Sequence, residues 1–107
     1  MKTQLLSGTE LTVPAVVSGV MRIQEKSDAQ IRALFDAALA AGINFFDHAD
    51  VYGSEPHGCE RRFAEVLQLS PSQRGEIILQ SKAGIVPDGP YFDFSHDHLI
   101  EAVNGSL

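Results

Sequence analysis

Three short apolar runs, each followed by a stretch with helical spacing, constrain this chain more than any other feature of its sequence. "AVVSG" at 15–19, "INFF" at 43–46 and "EIILQSK" at 76–82 are β-branched or aromatic runs of strand length. Apolar character at successive positions suits strands buried on both faces. Between the runs the period changes. Ser27 and Gln30 form a capping box, Ile31, Leu34, Phe35, Ala38 and Leu39 recur at helical intervals, and Gly42 supplies the stop. Cys59, Phe63, Val66 and Leu67 form the stripe of a second helix ending near Ser70 and Pro71, and Ser95 caps a third that carries Leu99, Ile100 and Val103. Ahead of the first run, "TQLL" and "ELTV" flank Gly8 as an N-terminal β-hairpin, expected to act as a lid. Strict alternation of strand and helix implies an α/β fold with parallel strands and right-handed crossovers.

Such a sheet gathers its chemistry at the C-terminal ends of its strands. The second run leads into "FFDHADVYGSEPHG" (45–58) and the third ends in Lys82, so Asp47, Tyr52 and Lys82 are expected to meet. Alternation along each strand puts Asp47 on one face with Phe45 and Ile43, and Lys82 on one face with Gln80 and Ile78. A metal site competes for the same stretch, because Asp47, His48, Asp50, His57 and Cys59 are all ligand types. Their spacing opposes it: no pair has helical or C-x-x-C placement, and Cys59 lies in an apolar stripe. The expected metal set is none. His48 is expected to be packed and hydrogen-bonded on the other strand face, with His57, His96 and His98 facing solvent or capping.

Composition narrows the partners. With 107 residues, 44% of them hydrophobic, the chain can form one small core. A net charge of −6 makes nucleic acid and anionic membranes unsuitable partners. A single cysteine fits a reducing compartment, and the N-terminal stretch, interrupted by polar residues and Pro14, lacks a signal-peptide or spanning pattern, so the expected location is cytoplasmic.

The ordered motifs carry a resemblance. "FFDHADVYG" resembles the aspartate and tyrosine motif of aldo-keto reductases, and "EIILQSKAGI" the strand that delivers their lysine. The hairpin, "SGVMR" after the first strand, the helix "CERRFAEVLQL" and the terminal "HLIEAVNGSL" follow in the family's order, and "DHADVYG" resembles a bacterial branch. The resemblance implies the first three of the eight (β/α) units of a TIM barrel, so residues 1–107 form a single partial domain. That barrel typically needs about 250 residues. It also implies an oxidoreductase that reduces an aldehyde or ketone with NADPH. Tyr52 is then the acid, Lys82 its tuner and Asp47 the lysine's partner, with cofactor contacts near Gly19, Val20, Met21, Asp47, Tyr52 and Lys82. A phenol with an ordinary pKa near 10 needs a cation beside it to give up its proton, and a lysine there needs a counterion.

The family's catalytic histidine belongs to a fourth strand, and none of the four histidines here holds that place. The 107-residue chain alone is therefore expected to be inactive. Its uncovered face makes a catalytically silent, self-associating barrel fragment the alternative, and a small metal-binding module a further one. Met21, Arg22 and the loop "IVPDGPYFDF" are the pocket candidates.

Overall fold

The computed structural model describes all of residues 1–107. An antiparallel hairpin of β1 (Thr3–Leu5) and β2 (Thr12–Pro14) precedes β3 (Ser18–Gly19), a 3-10 turn at Ile23–Glu25, α1 (Asp28–Ala40), β4 (Phe45–Asp47), α2 (Gly58–Leu67), α3 (Pro71–Gly75), β5 (Ile78–Gln80) and α4 (His96–Ser106). The sheet order is β3-β4-β5, parallel throughout, with Ser18 opposite Phe46, Gly19 opposite Asp47, and Asp47 opposite Gln80. The fold is the expected α/β one: a parallel sheet whose strands alternate with helices, two of them (α2 and α3) between β4 and β5, and a hairpin in front.

The helices begin where the sequence provides a cap. Ser27 accepts from Gln30 N–H while the Gln30 side chain accepts from Ser27 N–H, closing a capping box at the start of α1. Gly42 ends the helix with φ +78, a left-handed turn that a Cβ would obstruct against Met1. Because Gly42 lies just before β4, the hairpin packs at the N-terminal ends of the strands. It therefore cannot be a lid over chemistry at the other end.

One face of the sheet carries the core. Phe46 is fully buried and stacks on Phe35 at 5.2 Å between ring centres, with Phe63 tilted against it at 5.4 Å. Val20, Ile23, Ile31, Ala38, Cys59, Val66, Leu67 and Ile77 complete the cluster beneath α1 and α2. The opposite face, with Phe45, Asp47 and Gln80, is not covered by helices.

Several local expectations change. Val16 and Val17 are exposed rather than buried, because β3 pairs only with β4 and is two residues long. Ile43 packs against the helix-side core and does not share a face with Asp47, since strand pairing begins only at Phe45 and alternation has no meaning before it. Ser70 opens the short α3 through a second capping box with Gln73, an element not expected from the sequence between the second helix and the third strand. Helix α4 buries only Ala102 and leaves Ile100 and Val103 exposed.

Candidate active site

Asp47 and Lys82 meet as the strand register dictates. Beyond the formal strands the parallel ladder continues: His48 N–H donates to Gln80 O (2.8 Å) and Asp50 N–H to Lys82 O (3.0 Å). These rungs set Lys82 beside β4, and its ammonium donates to Asp47 Oδ1 at 2.7 Å, Asp47 Oδ2 at 2.8 Å and His48 O at 2.7 Å. All three N–H donors of the ammonium are used. The side chains are 45% and 26% exposed, so the pair contributes little to stability and stays open to a ligand.

Tyr52 reaches the same place by another route. It is half-buried against the core, and the Lys82 nitrogen sits 5.0 Å from its ring centre. The lysine is held above its ordinary range: loss of solvent pulls it down, but the Asp47 carboxylate and the Tyr52 hydroxyl outweigh that. The ammonium therefore remains charged next to the phenol.

The loop bearing Tyr52 is clamped. Gln24 Oε1 accepts from Ser54 N–H at 2.6 Å, and its amide lies so close to Gly53 and Gly58 that a Cβ at either position would strike it. Gly53 also sits at φ +110, which suits only glycine. On the far side Tyr52 O accepts from Cys59 N–H at 2.9 Å, and Cys59 Sγ donates to Met21 O at 3.3 Å. A buried thiol in that position is a core group.

The remaining assigned positions divide by strand face. Gly19 stands in the row with Asp47 and Gln80, and open space surrounds the point where its Cβ would be. Met21 is exposed at the mouth. Val20 turns its side chain into the core, which leaves only its backbone for a cofactor.

His48 is packed as expected, edge-on to Phe63 at 4.9 Å, but neither ring nitrogen has a hydrogen-bond partner. Burial holds it below the ordinary histidine value, opposed by Glu60 and Asp47. His57 does not simply face solvent: at the start of α2, with φ 61, its Nδ1 lies 2.5 Å from Glu60 Oε2. Glu60 also accepts from Ser81 and, at 2.9 Å, from Ser106. Burial pushes Glu60 up, and the hydrogen bonds of Ser81, His57 and Ser106 bring it below the ordinary carboxylate range. With His48 and Asp47 on opposite faces, no three of the chain's His, Cys, Asp and Glu side chains are placed to hold a metal ion.

Sequence reasoning missed Gln24 as the clamp, Gln80 as a partner of Asp47 at 2.7 Å, and Glu60 as a hub. Apart from the local Glu60–His57 pair, these contacts span 21 to 46 residues of sequence, a separation that leaves no periodic signal.

A model of the Aldo/keto reductase family matches residues 15–107. The uncharacterized oxidoreductase YcsN of Bacillus subtilis (strain 168) is 35% identical over 108 residues, covering 92% of this chain and 35% of the relative. A 6-dehydroglucose reductase of Novosphingobium aromaticivorans is 38% identical over 108 residues, covering 95% and 35%. Among solved structures, aldo-keto reductase AKR11C1 from Bacillus halodurans in its holo form superposes with a TM-score of 0.80 at 30% identity, covering 100% of this chain and 35% of that one. The chain thus spans 35% of the length of these proteins.

Proposed function

Since the chain belongs to the aldo/keto reductase family, a family of oxidoreductases, we propose that it carries the proton-donating part of a carbonyl reductase site. The observation that carries this reading is the convergence of Asp47, Lys82 and Tyr52 at the C-terminal end of the sheet, with the ammonium 2.7 Å from the carboxylate and 5.0 Å from the phenol ring.

Reduced nicotinamide dinucleotide, NADPH in our reading, supplies the hydride when bound against Gly19, the backbone of Val20, Met21, Asp47, Tyr52 and Lys82. The chain's own residues manage the proton. The Tyr52 hydroxyl donates to the carbonyl oxygen of the substrate, the Lys82 charge favours the phenolate left behind, and Asp47 keeps Lys82 protonated and in place. Gln24 fixes the loop so that the hydroxyl returns to one position in each cycle. The site is completed by the remaining strands of the barrel, which in this family bring the histidine. We call the chain continued by those strands the barrel-completed protein.

The substrate is a small aldehyde or ketone. One relative is named 6-dehydroglucose reductase, so a sugar carrying an aldehyde is the first compound to try. The test is NADPH consumption by the barrel-completed protein across a panel of sugar aldehydes, simple aldehydes and ketones. Reduction of at least one class is expected; no turnover with any, under conditions where NADPH binds, would refute the assignment.

A further inference from the structure

We propose that Gln80 is a positioning residue of the reductase site: it fixes the Asp47 carboxylate so that Lys82 is held toward Tyr52. The inference rests on the proposed reductase function and adds a residue to it.

Gln80 lies directly opposite Asp47 in the parallel register, and Gly19, Asp47 and Gln80 form one row across the three strands on the uncovered face. Its Nε2 donates to Asp47 Oδ1 at 2.7 Å, the same oxygen that accepts from Lys82 at 2.7 Å. A carboxylate can only accept, so the amide must present its nitrogen. The two oxygens of Asp47 thus receive three donors, two from a long lysine side chain and one from a residue anchored on the neighbouring strand.

Lys82, although also tied by its Nζ bond to His48 O at 2.7 Å, cannot fix the plane of the carboxylate by itself, because it reaches it through a flexible four-carbon stem. Gln80 can, since its backbone is tied by the β4–β5 ladder, with Gln80 O accepting from His48 N–H at 2.8 Å. Without the amide the Asp47 carboxylate is freer to turn, and Lys82, still tied to His48 O, is held less closely in one position. Lys82 then spends less time where its charge meets the phenol. Asp47 accepts Gln80 on one side and holds Lys82 on the other, so the three residues form one unit although only Lys82 touches Tyr52.

The test uses the barrel-completed protein with NADPH and its best aldehyde. Gln80→Met, matched in length and lacking the donor, is expected to lower kcat about tenfold, the scale of a lost hydrogen bond to a charged group, with KM for NADPH changed by less than about twofold. Gln80→Glu is expected to be worse at alkaline pH, where two carboxylates oppose each other. It should recover as the pH falls, because the introduced carboxyl then takes up a proton, shifted upward by its neighbour, and donates it to Asp47 Oδ1. A merely structural side chain would give no such recovery.

Unchanged kcat in Gln80→Met, or a Gln80→Glu profile parallel to that of Gln80→Met, would overturn the proposal. Lys82→Met and Tyr52→Phe are measured alongside. If these keep their turnover, the reading of the whole site fails. If they lose it while both Gln80 variants behave as the unaltered protein, only the role of Gln80 fails.

Discussion

His48 shows what a single residue costs when its surroundings are apolar. Both ring nitrogens are buried without a partner, against Phe63 and the helix side of the sheet. Each buried, unpaired polar atom costs about 1–3 kcal/mol, so His48→Phe is expected to raise the urea midpoint of the barrel-completed protein at neutral pH. The pH dependence has a definite sign. The folded protein resists protonating His48, whereas the unfolded chain takes the proton at histidine's ordinary 6.5. Stability is thus full above 6.5 and falls as the pH drops through that value toward the lower folded one. Glu60, also held below its ordinary 4.5, adds a second loss further into acid. Urea midpoints measured from about pH 8 to pH 3 should show both steps in the unaltered protein and only the lower one in His48→Phe. A profile unaffected by that substitution would show that His48 is not the group responsible. At this scale the sequence revealed Asp47, Tyr52 and Lys82, because strand ends and residue type announce them. It did not reveal the apolar, partnerless surroundings of His48 or the contacts of Gln24 and Gln80, which arise only when distant segments pack.

Among the elements, caps were the most legible signals and strand lengths the least. Ser27 with Gln30 predicted the start of α1, and the cap is present with both hydrogen bonds. Ser27→Ala should lower stability by about 1 kcal/mol, read as a shift in the denaturant midpoint; no shift would mean that the cap contributes nothing. The strands shrank to two or three residues because a parallel strand is defined by its neighbours, and neither β3 nor β5 has one on its outer side. Helix α4 is a different case. Its spacing identified it as a helix, but only Ala102 is buried, and its C-terminal end is tied by Ser106 Oγ donating to Glu60 Oε1 at 2.9 Å and Oε2 at 3.1 Å. Hydrogen exchange in α4 should therefore be faster than in α1, and Glu60→Ala should accelerate α4 while leaving α1 unchanged. Equal acceleration in both would show that Glu60 supports the whole core and not this one contact.

The molecule as a whole has the shape of a wall. Its extents are 40 × 38 × 23 Å and its radius of gyration is 14.7 Å. A compact domain of this length would come to about 13 Å. Both outer strand edges are unpaired, and Val16, Val17, Leu79, Ile100, Val103 and Leu107 are exposed. Open edges and exposed apolar side chains favour association, so the chain alone should sediment as more than a monomer. A stable monomer at all concentrations would contradict that. The alternation of runs made this architecture readable, since it implied parallel units; how many units close a barrel is not encoded in any three of them. On the proposed function, these residues hold the proton-donating part of a carbonyl reductase site and not the whole of it. The decisive measurement is NADPH oxidation with an aldehyde, by the 107-residue chain alone and by the barrel-completed protein with Tyr52 and with Tyr52→Phe. No turnover by the chain alone is expected, with turnover by the completed protein and a loss of at least about a hundredfold in Tyr52→Phe, NADPH binding being retained. Turnover by the chain alone, or a Tyr52→Phe protein that still reduces the aldehyde at the original rate, would contradict this division of the site.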